Sequence, residues 1–183
     1  MSQIALQRPT GERQQLSESE QSALWSALDE LTDPEIPVVT LREMGIVRAL
    51  RRADDGVLEV VITPTYSGCP AMEQIHDDIV ARLAQGGVAA RVVTQLAPAW
   101  TTDWMTAAAR EKLRAYGIAP PHTGALAPGE APIHFATRPR TAVPCPLCGS
   151  ANTTETSHFG STACKALYRC LDCMEPFDHF KRI

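Results

Sequence analysis

Two short cysteine motifs near the C-terminus constrain this chain more than any other feature. Cys145-Pro-Leu-Cys148-Gly149 is followed, after residues 150–169, by Cys170-Leu-Asp-Cys173. A C-x-x-C motif places two sulfurs about one tight turn apart. The segment between the two motifs is long enough for a hairpin that returns the second pair to the first. Four converging thiolates form a closed tetrahedral cage, and zinc is its default occupant. Pro146 restricts the first turn, and Gly149 can take the positive φ that such turns need. Cys145, Cys148, Cys170 and Cys173 are therefore expected to hold a structural zinc ion in a ribbon over residues 144–183. Iron fits the same cage, so a rubredoxin-like electron-transfer site is an alternative. His158 and His179 are left outside the coordination sphere, because four cysteines already fill it.

So small a ribbon needs a body beside it, and the chain supplies one. Its 183 residues, 44% of them hydrophobic and 21% charged, suit a globular domain plus a small module. Residues 138–183 carry 6 Lys+Arg and 4 Asp+Glu, while the rest carries the remaining 11 and 17. A mildly basic ribbon on an acidic body fits an acidic partner, or arises by chance. No apolar run approaches a membrane span and no signal peptide opens the sequence. Cysteine use at metal-binding spacing points to the cytoplasm. Neither nucleic acid nor a membrane is expected as a partner.

Local signals order the body. Residues 1–16 are polar and expected to be flexible. Ser17 and Glu20 form a capping box for a helix carrying Leu24, Ala27, Leu28 and Leu31. Asp33-Pro-Glu-Ile-Pro37 stops that helix. Two strands, 47–52 and 57–63, flank an Asp55-Gly56 turn. A loop, Pro64-Thr-Tyr-Ser-Gly-Cys-Pro70, leads to a helix with Met72, Ile75, Ile79 and Leu83 on one face. A strand over 88–96 follows, then a last helix from Thr102, with Trp104, Ala108 and Leu113 inward. This predicts an α+β sandwich of order α-β-β-α-β-α over residues 17–117. Residues 118–143, rich in proline, alanine and glycine, read as a linker.

Cys69 is the second chemical candidate. It precedes Pro70 at the expected first helical position, where free N–H groups and the helix dipole favour a thiolate. Such a thiolate can attack, be oxidised, or hold iron or a cluster; a small buried cysteine is the alternative. Thr63, Thr65, Tyr66 and Ser67 can hydrogen-bond a ligand or simply satisfy the loop backbone. Asp33 and Glu35 can coordinate iron or orient a partner, and Asp33 can instead brace its turn. Cys164 is a fifth ribbon thiol: a replacement ligand, a redox-active spare, or packing beneath the hairpin. Trp100 and Trp104 are expected in the core. No triad and no phosphate loop is present.

The run Asp33-Pro-Glu-Ile-Pro-Val-Val-Thr-Leu-Arg-Glu-Met-Gly-Ile-Val47, with Thr63-Pro-Thr-Tyr-Ser-Gly-Cys-Pro-Ala-Met72, resembles the iron–sulfur-maturation domain family that includes SufT. With the ribbon, including its Phe-Gly-Ser-Thr-Ala-Cys-Lys-Ala-Leu-Tyr-Arg-Cys stretch, residues 17–183 resemble the PaaD family of phenylacetate-degradation proteins. That resemblance implies a place beside the bacterial phenylacetyl-CoA ring epoxidase, which pairs a di-iron oxygenase with a flavin and [2Fe–2S] reductase. The chain has no nucleotide fingerprint and no ferredoxin cysteine run. The resemblance therefore implies a non-enzymatic maturation factor that assembles or delivers a cluster or iron. Reductase or oxygenase subunits would be its clients, and iron–sulfur assembly machinery a further partner. Cys69 would be the transient iron or cluster ligand, assisted by Asp33 and Glu35, with Thr63 and Thr65 nearby. The alternative is a structural adaptor subunit of the epoxidase complex.

Overall fold

The computed structural model describes residues 16–122 and 142–183. Helix α1 (Glu18–Leu28) starts as its capping box requires: the Ser17 side chain accepts the Glu20 N–H, and the Glu20 carboxylate accepts the Ser17 N–H. Leu24 and Leu28 are its buried residues.

The Asp33-Pro-Glu-Ile-Pro37 segment does more than end the helix. It forms a small antiparallel hairpin, β1 (Thr32–Asp33) and β2 (Ile36–Thr40). The prolines are tolerated because this sheet has only two strands, which leaves each strand an unpaired edge. The main sheet has the order β3 (Val47–Arg52), β4 (Leu58–Ile62), β5 (Ala90–Thr94). β3 and β4 are antiparallel, joined at Asp55-Gly56 with Gly56 at φ +81. β4 and β5 are parallel, so α2 (Met72–Gln85) is the crossover between them. Ile75, Ile79 and Leu83 are its buried residues, and it packs on α1 and β5.

The last helix differs from expectation. Residues Thr102–Trp104 form an isolated 3-10 turn, and α3 (Ala107–Ala115) begins afresh at the Thr106 cap. The break rotates the register: Ala109 and Leu113 face inward, Ala108 faces solvent, and Trp104 is half-buried beneath the Arg48 guanidinium. Trp100 is buried and donates its indole N–H to the Met44 carbonyl at 3.0 Å. Gly45, at φ +72, lies so close to Trp104 that a Cβ would meet that residue's Cβ at 2.7 Å. The Met-Gly-Ile-Val motif thus needs its glycine on two counts.

The ribbon is not a bead on a string. Ile118 and Ala119, expected at the start of a linker, form β6 and join the ribbon sheet. That sheet runs β6, β9 (Pro176–Phe180), β8 (Lys165–Cys170), β7 (Thr153–Ser157), with β6 parallel to β9 and the other pairs antiparallel. Phe180 and Cys164 belong to the same buried cluster as the body's core residues. The Phe180 and Trp100 rings lie 6.0 Å apart, and Thr102 donates its N–H to the Ile183 carbonyl. A second, smaller cluster of Ala119, Val143, Cys145, Cys170 and Phe177 supports the metal end. Except for Leu16, the expectation for residues 1–16 lies outside the described residues, as does most of the linker.

Candidate metal and thiol sites

The two cysteine motifs meet as their spacing requires. The sulfurs of Cys145, Cys148, Cys170 and Cys173 all lie within 4.8 Å of one another. Cys145 and Cys173 are 3.8 Å apart, and Cys148 and Cys170 are 3.6 Å apart. Zn–S bonds of about 2.3 Å in a tetrahedron place neighbouring sulfurs about 3.8 Å apart, so the donor set fits such an ion. In the first knuckle Gly149, at φ +78, donates its N–H to the Cys145 carbonyl. The second knuckle lacks a glycine there: Met174 takes the left-handed conformation at φ 67. Asp172, inside the second motif, clasps the first. It accepts from the Ser150 hydroxyl and, at 2.8 Å, from the Asn152 amide. These bonds hold its carboxyl below the ordinary carboxylate range.

Cys170 and Cys173 do not ionise alike. The Cys173 N–H pulls Cys170 down to about 7, against desolvation and with help from neighbouring sulfurs. Cys173 is pushed up to about 12: the Glu175 N–H lowers it, but desolvation and the Cys170, Cys148 and Cys145 sulfurs prevail. Four adjacent thiolates need a cation between them, so the geometry is that of a metal-binding site.

The second site lies where the ribbon meets the body. Thr63 follows β4 and opens the loop that ends on Cys69 before α2. Cys69 is half-buried and packs against the main core cluster, of which Cys164 is a member. Cys69 and Cys164 both lie within electrostatic range of the Tyr66 hydroxyl, whose pKa burial raises. Helix α2 begins at Met72, capped at Ala71, two residues later than expected. The Ala71 N–H still favours the Cys69 thiolate, but burial outweighs it, and Asp33, Cys164 and Glu35 add to the upward push. The helix start lies two residues beyond the expected one, and burial of Cys69 works against the thiolate that a helix N-terminus would favour. Burial also raises Cys164, although Thr162 Oγ1 lies 3.0 Å from its sulfur and Lys165 follows it.

The other predicted residues divide by burial. Asp33 is buried and accepts the N–H groups of Glu35 and Ile36 at 2.8 and 3.0 Å, so it does brace its turn. Burial nonetheless pushes its carboxyl up. Glu35 is exposed, within electrostatic range of Cys69. Thr65 is buried, and Thr63 is only 1% exposed with its hydroxyl unpartnered. Reading the sequence missed Lys165, a buried ammonium whose Asp178 partner is 3.8 Å away. It also missed the clasp by Asp172, which its place inside a C-x-x-C motif could have flagged. Nothing local in the sequence signals the meeting of Cys164 with the body. No described helix is long and apolar enough to cross a membrane.

Known proteins resemble both parts. Residues 21–95 match the family described as iron–sulfur cluster assembly protein, and residues 129–181 match the PaaD zinc beta ribbon domain. The chain is 49% identical over 161 residues to a protein of Escherichia coli (strain K12) named as a putative subunit of 1,2-phenylacetyl-CoA epoxidase. That match covers 87% of this chain and 92% of the relative. A Bacillus anthracis domain of unknown function, DUF59, is 25% identical, with a TM-score of 0.46 over 50% of this chain and 89% of that one. A Mycobacterium tuberculosis protein associated with [Fe–S] complex assembly and repair is 28% identical, with a TM-score of 0.33 over 58% and 93%.

Proposed function

The chain belongs to the PaaD family, and on that premise we propose that it is an accessory protein of a phenylacetyl-CoA ring 1,2-epoxidase. Its task is to assemble or deliver iron, as the ion or as an iron–sulfur cluster, for the reductase or oxygenase component. The observation that carries this reading is Cys69: a half-buried thiol on a loop headed by a buried, unpartnered hydroxyl, inside the segment that matches iron–sulfur assembly proteins. Iron is here the cargo. Cys69 holds it through sulfur, Asp33 and Glu35 supply negative charge nearby, and Thr63 and Thr65 line the approach. Zinc is the resident ion of the ribbon quartet, where it fixes the fold and takes no part in transfer. Partners are the epoxidase subunits and the cellular iron–sulfur assembly machinery.

The test is maturation of the client with Cys69→Ser in place of the natural chain. The expected result is a reductase with depleted cluster, or an oxygenase with depleted iron, while the variant keeps its fold and zinc. Full client loading with that variant would refute the delivery role.

A second reading has its own support. Leu147, Leu171 and Met174, on and beside the knuckles, are all about half exposed. Apolar tips of this kind suit a structural adaptor that docks on an epoxidase component. That role predicts stable co-elution with the component, indifferent to Cys69 and weakened by Leu147→Asp.

A further inference from the structure

We propose that the cleft between helix α3 and the first ribbon knuckle is a binding site for a small organic monocarboxylate. Such a site is independent of iron delivery and of Cys69, so either can fail without the other.

The cleft encloses about 470 Å³, within the roughly 300–1,000 Å³ of small-molecule sites. Three separate stretches wall it. Arg110, Glu111 and Arg114 come from one stripe of α3. Pro121 and His122 follow β6, and Pro144 to Pro146 lead into the knuckle. Proline has a fixed φ and no N–H, so these two stretches make rigid walls with few donors of their own. A rigid, preformed wall lowers the ordering cost of binding.

The polar atoms of the wall are unevenly satisfied. Among the described residues, four buried side-chain nitrogen or oxygen atoms have no hydrogen-bond partner. Two of the four, Arg110 Nε and His122 Nε2, belong to residues of this cleft. The rest of the Arg110 guanidinium is held in place: its terminal nitrogens donate to the Met105 and Thr102 carbonyls at 2.9 and 2.6 Å. Carbonyls orient the cation without neutralising it. No described carboxylate pairs with it, and Glu111, the acid beside it, bonds Arg114 instead at 2.7 Å.

Charge and donors together define the ligand. The Glu111–Arg114 pair cancels, which leaves the wall the single positive charge of Arg110. One cation without a counter-charge matches a monocarboxylate; a phosphate monoester would bring a second negative charge with nothing opposite it. A guanidinium N–H, and an imidazole in its Nε2–H tautomer, both donate to carboxylate oxygen. Neither nitrogen is open to water. The imidazole has no hydrogen bond at Nε2 to lose, so a small turn of its ring presents the N–H to an entering oxygen. The prolines receive the apolar remainder of the ligand. Because α3 and the ribbon each supply a wall, a bound carboxylate braces the knuckle against the body.

The full zinc-loaded chain is titrated by calorimetry with butyrate and with benzoate. Butyramide and benzamide are the neutral isosteres, and phenyl phosphate is the dianion. We expect saturable binding of at least one carboxylate, with its amide and phenyl phosphate at least about tenfold weaker. His122→Ala and Arg110→Gln should each weaken it at least about tenfold, as the loss of one charge-assisted hydrogen bond does, with zinc content unchanged. Bound carboxylate should slow amide exchange in α3 and over residues 145–149, and leave α2 as it was. No saturable binding of either carboxylate would overturn the proposal, as would equal binding of the amide or tighter binding of phenyl phosphate. Unchanged affinity in His122→Ala would place the ligand elsewhere and overturn it too. That variant and the exchange pattern decide the matter if Arg110→Gln fails to fold.

Discussion

The chain carries two groups of cysteines built on opposite plans. The ribbon quartet comes from two copies of one local motif, on matching tight turns, clasped together by Asp172. Cys69 and Cys164 come from unlike loops, one before α2 and one before β8, and each reaches the main core cluster through packing. The quartet gathers four sulfurs, whereas Cys69 and Cys164 are single thiols whose pKa burial raises. A closed set of four sulfurs suits an ion that stays with the fold.

The largest effect that distinguishes them is metal removal. Structural zinc in small modules contributes roughly 10–16 kcal/mol of apparent folding energy. Chelation, or Cys170→Ser, should therefore unravel the knuckles and the Ala119–Val143–Phe177 cluster. The seam end of the ribbon, anchored by Phe180 in the main core, should keep its amide protection. Hydrogen exchange resolves the two ends, and uniform loss across residues 144–183 would show that the ribbon unfolds as one unit. The converse cut is Phe180→Ala. Removing a buried aromatic typically costs about 3–5 kcal/mol, and here it should destabilise the body by thermal denaturation while zinc content stays at one per chain.

A smaller effect concerns pH at β6 and β9. His179 donates Nδ1–H to the Ala119 carbonyl at 3.1 Å and faces His122, Tyr168, Glu155 and Lys181. Burial, more than any neighbour, lowers its imidazole below the ordinary 6.5. The folded chain then binds fewer protons than the unfolded chain below that pH. Stability is full above about 6.5 and falls as pH drops toward the depressed folded value, by at most about 1.4 kcal/mol per unit. His179→Gln should flatten the slope in denaturant melts between pH 7 and 5; an unchanged slope would assign it to other groups. The smallest effect has the opposite sign. Thr63→Val removes an unpaired buried hydroxyl at nearly constant shape, and should stabilise the chain by about 1 kcal/mol while weakening iron binding. Destabilisation instead would mean that the hydroxyl is satisfied in the fold.

What could be read from the sequence was local. The Ser17–Glu20 box, the Asp55-Gly56 turn, the Ile75–Ile79–Leu83 stripe and both C-x-x-C motifs carry their geometry within a few residues, and each forms as expected. The misreadings have one cause. Asp33-Pro37 reads as a stop, because proline signals lost donors and says nothing of a two-stranded hairpin with free edges. The 3-10 break at Thr102–Trp104 moves Ala108 outward through a cap at Thr106 that competes with the longer helical pattern. Cys69 and Cys164 are separated by about half the chain, and no periodicity records that they share a core. Asp33, Thr63 and Thr65 were visible as residue types, but their burial was not.

The pairing of β6 with β9 has a mechanical consequence. The chain leaves the body at Ala119 already hydrogen-bonded into the ribbon sheet, and it re-enters the same small cluster at Val143, whose carbonyl accepts the Thr153 hydroxyl at 2.7 Å. The intervening segment therefore departs and arrives at one place, and its contour length does not set where the ribbon sits. Doubling that length would cost only about 0.6 kcal/mol in closure entropy. A single nick within it would leave two pieces clamped together. Ala119 and Val143 thus act as the two leaves of a hasp, and the position of the ribbon is set by the closed hasp and not by the length of chain between them.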